Sequence, residues 1–232
     1  MTTEPPRGIK ANLKRVFADK TDDFFADCEK PAEFRKLTWA LSYFHSIIQE
    51  RKKFGPLGWN IKYAFNVSDL ETSLTVLQML LNEHEEIPWD ALLFLNGEIN
   101  YGGRVTDDRD RTCLMSVLSM LYTPKILRSD TYQFSESTSY IIPKNGSFDD
   151  IQAYIDGLSL EDDPDIFGMH ENANITFQTQ ESNKIIHTIL AISPADAGGE
   201  EGVSPDEVVK SLIKMVQKEL PQKMVRKETN AP

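Results

Sequence analysis

Cysteine is nearly absent: the 232 residues contain two, Cys28 and Cys113. Two thiols cannot build a disulfide framework, so nothing points to a stapled secreted domain, and each is expected as a small buried apolar group. Long apolar runs are missing too. No stretch could cross a bilayer as a helix, and the opening MTTEPPRGIKANLKR lacks the apolar core of an export signal. Asn66, Asn145 and Asn174 match the glycosylation pattern, but without export the matches are coincidental, and the reducing interior of a cell is the expected compartment. Positive charge is short: Lys+Arg number 25 against 36 Asp+Glu, a formal net charge of -11. That balance opposes diffuse binding to nucleic acid or to an anionic membrane, while leaving room for a local basic patch.

Catalytic motifs are missing as well. There is no G-x-x-x-x-G-K-[ST] loop to cradle a nucleotide triphosphate. His170-Glu171 has no second histidine one turn later, and no G-x-S-x-G elbow occurs. His45, His84, His170 and His187 are scattered, as expected of surface or hydrogen-bonded core residues. Asp107, Asp108 and Asp110 lack the glycine and closing glutamate of a calcium loop. Catalytic, cofactor-binding and metal residues are therefore assigned as none.

What the sequence does carry is helical periodicity. After Pro31, the residues Phe34, Leu37, Leu41, Phe44 and Ile48 recur at spacings of three and four, which predicts a long amphipathic helix. The basic run Arg51, Lys52, Lys53 suits its C-terminal end, and FGPLGW stops it as a rigid aromatic turn. Ser68 and Glu71 read as a capping box before Leu70, Leu74, Leu77 and Leu81. IPWDALLFL predicts a short helix ended by Asn96 and Gly97, and another helix is expected from about Asp107 to Tyr122. Residues 123–147 read as short extended segments, before helical pattern returns at SFDDIQAYIDGL and TQESNKIIHTILAI. ADAGGEEG, within 195–202, reads as a flexible linker, and Ser204 to Glu207 cap a last amphipathic helix. The fold class is mainly α: a small helical bundle followed by a mixed, mostly helical C-terminal portion. The opening residues read as a start cut from something larger.

One stretch stands apart. NYGGRVTDDRDR places Gly102, Gly103 and Arg104 before the acidic helix start of Asp107, Asp108 and Asp110. The glycines permit a sharp bend or close backbone approach. The three carboxylates suit the positive end of a helix. The guanidinium could pair bidentately with carboxylates across a helix interface or reach a phosphate on a neighbouring subdomain.

Four strings in order, TTEPPRGIKANLKR, FGPLGWNIKYAFNVSDLETSLTVLQMLL, IPWDALLFLNGEINYGGRVTDDRDR and DIFGMHENANIT, resemble a dynein heavy chain, and more closely the axonemal kind. The resemblance covers nearly everything from Thr2 to about Ile192. In that family six AAA+ modules form a ring, and ATP hydrolysis, chiefly in the first, drives a linker swing and changes microtubule affinity at a distant stalk. It implies that residues 1–30 end the large part of the sixth module, 31–122 form its helical AAA+ lid, and 123–194 begin the C-terminal region. Residues 195–203 would then be the linker, and 204–232 the last helix and tail. It implies a noncatalytic segment needing no cofactor of its own, with ATP and magnesium serving the parent motor. Implied partners are the other AAA+ modules and the C-terminal region of the same chain, intermediate and light chains, and microtubules through the stalk. Nucleic acid and membrane are not among them. The implied setting is the cytoplasm, cytoskeleton and ciliary axoneme. Gly102, Gly103, Arg104, Asp107 and Asp108 would be a structural joint between lid helices, with Arg104 not a nucleotide sensor. The alternative reading is an independent helical protein-binding module. A stand-alone nucleotide hydrolase is disfavoured by the missing phosphate loop.

Overall fold

The computed structural model describes residues 7–129, 132–135, 139–143, 148–192, 209–211 and 213–214. The expected linker at 195–202 lies outside the described residues, as does most of the last helix, of which 209–211, 213 and 214 are described and helical. The chain divides into two compact units, Met1–Asn183 and Lys184–Pro232. It is mainly α, as the periodicity predicts. The helices are α1 (Ile9–Phe17), α2 (Asp22–Ala26), α3 (Pro31–Glu50), α4 (Val67–Glu83), α5 (Trp89–Leu93), α6 (Asp108–Leu121), α7 (Lys125–Arg128), α8 (Phe148–Gly157) and α9 (Asn172–Ile192).

Helix α3 is the axis of the first unit, packing on α1, α2, α4, α6 and α7. Its predicted apolar stripe is buried, but so is the opposite side: Trp39, Tyr43 and Ile47 are as fully enclosed as Phe34, Leu37 and Phe44. The amphipathic reading is corrected here. Two of the polar residues on that side are satisfied within the helix, Ser42 Oγ donating to Thr38 O at 2.7 Å and Ser46 Oγ to Ser42 O at 2.8 Å, while the buried Thr38 hydroxyl has no hydrogen-bond partner among the described residues. Such back-bonding lets hydroxyls enter a core. The covering layer comes from later in the chain. Trp39 Nε1 donates to Ile141 O at 3.3 Å, and the Tyr43 ring lies 4.9 Å from that of Phe134.

The predicted extended stretch after Thr123 opens instead with the helical turn α7. Extended pairing is confined, among the described residues, to an antiparallel bridge between Gln133 and Ile141. Phe134 N donates to Tyr140 O at 2.8 Å there, and Ile142 N to Tyr132 O at 2.9 Å. Residues on both sides of position 122 share one apolar core, since Tyr140, Ile142, Ile151 and Ile155 join Leu37, Leu77 and Leu118 in it.

Three local expectations change. The basic run after α3 does not simply face helix-end carbonyls. Arg51 is buried, gives Nε and Nη2 to Gly58 O at 3.2 and 3.1 Å, and also donates to Phe167 O. Its guanidinium sits 5.2 Å over the Trp59 ring, and Lys53 pairs with Asp162 at 2.9 Å. The turn 54–60 is thus clasped by the end of α3 and by residues around 162–167. The box at the start of α4 is formed by Asn66 and Asp69, not Ser68 and Glu71, because the helix begins two residues earlier than that box implies, at Val67. Asn66 N donates to Asp69 Oδ2 at 2.8 Å.

The helix of IPWDALLFL does not end at Asn96 and Gly97. It continues as a π-helical segment, Phe94–Tyr101, then a 3-10 turn, Gly102–Arg104. π turns are rare because their hydrogen-bond geometry is poor, and packing must favour them. The packing reason lies at Gly97, where a Cβ would come within 2.4 Å of Met115 Sδ and 2.8 Å of Leu118 Cδ2. Without a side chain there, α6 can lie directly against the segment.

Candidate structural joint

The π-helical segment and the 3-10 turn that follows it deliver three residues to one place. Tyr101 is fully buried, and its hydroxyl lies 3.0 Å from His45 Nδ1 on α3. Asn100 Nδ2 donates to Asp69 O and Ser73 Oγ on α4, each at 2.6 Å. Arg104 Nε and Nη2 both donate to Asp69 Oδ1, at 2.9 and 2.7 Å. The other oxygen of Asp69 already holds the Asn66 amide. One nearly buried carboxylate therefore closes the start of α4 and anchors the turn that precedes α6. The Asp69 side chain is 7% exposed and that of Arg104 42%.

The sequence reading of a carboxylate across a helix interface leaves the partner unnamed, and in the structure it is Asp69 on α4. Arg104 reaches back 35 positions to Asp69 instead of meeting Asp107 or Asp108. Asp107 is the N-cap of α6, accepting from Arg109 N at 2.9 Å and Asp110 N at 3.0 Å, with Asn60 Nδ2 at 3.3 Å. The Asp110 amide, then the Asn60 side chain, hold the Asp107 carboxyl below its usual range. Asp108 is exposed on the outer side of the first turn.

Sequence reasoning missed the residue that does most at this helix start. Asp110 is buried and accepts from Asn60 N at 3.0 Å, Ile61 N at 3.2 Å and Tyr63 OH at 2.9 Å. It ties the chain after the 54–60 turn to α6. Asp69 and Asn100 were missed as well. The only sequence signal for Asp69 is the Asn-x-x-Asp spacing from Asn66, a capping pattern that says nothing of Arg104.

The two glycines separate. A Cβ at Gly102 would lie 2.5 Å from the Gly97 carbonyl oxygen, whereas one at Gly103 meets nothing within 4 Å. Gly102→Ala is expected to lose about 1–2 kcal/mol, since backbone must move to admit the methyl. Gly103→Ala should be neutral or gain a few tenths of a kcal/mol through the smaller entropy of the unfolded chain. Paired denaturant titrations check this, and equal effects would contradict the close approach at Gly102.

Chemically, the paired groups of the joint are engaged in holding geometry. His45 is neutral and enclosed, because burial pulls its pKa down from 6.5 to about 4, with Asp69 opposing and Arg15 reinforcing the shift.

Comparison with known proteins agrees with this picture of a lid-like bundle. Residues 34–173 match the family model of the dynein heavy chain AAA lid domain. That match runs across position 122 and includes the layer covering α3. The human axonemal dynein heavy chain 6 is 47% identical over 224 residues, covering 97% of this chain. The mouse axonemal dynein heavy chain 3 is 46% identical over 95% of it, and mouse axonemal dynein heavy chain 2 is 43% identical over 96%. The alignment spans only 5% of the length of each of these relatives. With a family model covering more than half of its residues, the chain belongs to the dynein heavy chains.

Proposed function

We propose that these residues are a noncatalytic, force-transmitting segment of an ATP-driven microtubule motor that works in the ciliary axoneme. In this reading the chain contributes the helical lid of the sixth AAA+ module and the start of the C-terminal region. Its partners are the remaining modules of the same heavy chain, with intermediate and light chains in the parent complex and microtubules reached through the distant stalk. The observation that carries the reading is the shared carboxylate of Asp69, which couples the start of α4 to the turn leading into α6 through Arg104. A displacement applied to either helix is passed to the other through that rigid pair. Gly102, Arg104 and Asp107 act in the joint, while Gly103 and Asp108 lie at its rim.

A nucleotide does not fit the joint. Phosphates sit on free amides at helix N-termini, and here a carboxylate already stands at each neighbouring start: Asp69 accepts from Asn66 N at α4, and Asp107 from Arg109 N and Asp110 N at α6. ATP and magnesium belong to other parts of the parent motor. Calorimetry of the 232-residue chain with Mg-ATP should show no saturable heat tighter than about 1 mM. A micromolar isotherm would overturn the noncatalytic reading.

A second reading, a helical protein-binding module, draws support from α9, where Ile185, Ile186, Ile189 and Leu190 are each more than half exposed. It would gain over the first if the isolated chain bound another axonemal component stoichiometrically.

A further inference from the structure

A cleft of about 580 Å³ opens between α1, the end of α3 and the chain entering α4. Arg15, Lys52, Asn12, Gln49 and Glu50 are among the residues lining it. The basic residues around it are engaged: Lys10 Nζ donates to Asp156 O and Leu158 O, Lys14 pairs with Asp156, and Lys53 with Asp162. Arg15 and Lys52 are exposed and have no carboxylate partner among the described residues. In a chain of net charge -11, two idle cations at one cleft are an electrostatic invitation to an anion.

The walls narrow the chemistry. Glu50 is buried, with Oε1 accepting from Asn12 Nδ2 at 2.8 Å, and Gln49 Nε2 donates to Phe65 O at 2.7 Å. These groups are held in place, so the cleft offers two exposed cations and one fixed carboxylate. A free phosphate suits the cations but is repelled by Glu50. A peptide meets both, with an acidic side chain for Arg15 and Lys52 and an N–H or cation for Glu50. The polar lining also differs from the mainly apolar walls of small-molecule pockets. At the helix end that reaches the cleft, the Asn66 amide is already taken by Asp69.

The source of the peptide follows from length, since these residues span 5% of their relatives. We propose that the cleft seats an acidic segment of the same heavy chain, from outside these 232 residues, its carboxylate bridging Arg15 and Lys52. The proposal does not depend on the role given to Arg104.

The test is zero-length cross-linking of the intact heavy chain. A carbodiimide activates a carboxylate as its O-acylisourea, the Lys52 amine attacks that carbonyl, and the urea leaves, giving an amide between the two side chains. Mass spectrometry should find Lys52 joined to an Asp or Glu of the same chain beyond these residues. Arg15→Glu should cut the yield about fivefold or more by repelling the segment, and Lys52→Arg should abolish the link. Inorganic phosphate at matched ionic strength should leave it unchanged. Both cations are exposed, so the double variant R15E/K52E keeps the fold, and amide exchange at Phe65 to Ser68 should then quicken about tenfold in the intact chain. The proposal is overturned if Lys52 links only to carboxylates within these residues or to a separate polypeptide, or forms no link. It is likewise overturned if phosphate displaces the link, or if exchange in the double variant is unchanged.

Discussion

Asp110→Ala is expected to destabilise the chain by about 3–4 kcal/mol, the largest single-residue effect foreseen here. Three donors, the amides of Asn60 and Ile61 and the hydroxyl of Tyr63, converge on this carboxylate. Truncation orphans all three, at about 1–3 kcal/mol for each well-buried donor. The sum is discounted because these bonds are only partly buried and water can reach some of the freed groups. Asp110→Asn is the informative companion. Its amide nitrogen would face a backbone N–H, so the variant should recover less than half of the loss despite its equal size. Denaturant unfolding with an unchanged slope provides the measurement. If the alanine variant lost under about 1 kcal/mol, Asp110 would be a helix-end charge of the ordinary surface kind.

The second large effect is a pH dependence set by His45. Its folded pKa, about 4, lies below the ordinary 6.5 because burial disfavours the cation. Above pH 6.5 both folded and unfolded chains hold it neutral, so its contribution to stability is complete. As pH falls from 6.5 towards 4, the unfolded chain takes up the proton and the folded chain does not. Stability therefore declines through that window, by about 3 kcal/mol in total. Asp107 and Asp156 have lowered values too, so their contributions are lost at lower pH, and they persist in any His45 variant. The difference between the wild type and His45→Gln isolates the histidine. Stability of the wild type should fall more steeply between pH 7 and 4.5, and parallel curves would contradict the buried neutral imidazole.

Much of the helical framework is legible because it rests on periodicity. Phe34 to Ile48 and Leu70 to Leu81 announce α3 and α4 by spacing alone. The two-sided burial of α3 is not legible, since Ser42 and Ser46 look like a solvent face until their hydroxyls are seen bonded within the helix. Nor is the π-helical segment. Asn96-Gly97 has the chemistry of a helix end, and only the approach of Met115 and Leu118 explains why the chain continues. For the joint, the motif around Gly102 and Arg104 stood out in the sequence, but its partner did not. Asp69 lies a helix and a loop away, and two nearer aspartates compete for the arginine on paper. Proximity along the chain is a weak guide: Asp107 holds amides of its own helix start, and Asp108 faces outward from the first turn.

The most direct measurement concerns coupling in the intact heavy chain carrying Arg104→Ala. The side chain is 42% exposed, so its removal should cost only about 1–2 kcal/mol and leave the fold intact. Gliding velocity should be measured against the rate of ATP turnover on the same preparation, with ATP affinity at the principal site determined in parallel. The expected result is unchanged ATP affinity, near-normal turnover and a clear fall in distance moved per ATP, partly restored by Arg104→Lys. Unchanged movement per ATP would show that nothing passes through the Asp69–Arg104 pair, and loss of ATP binding or of the chemical step would place the arginine in catalysis.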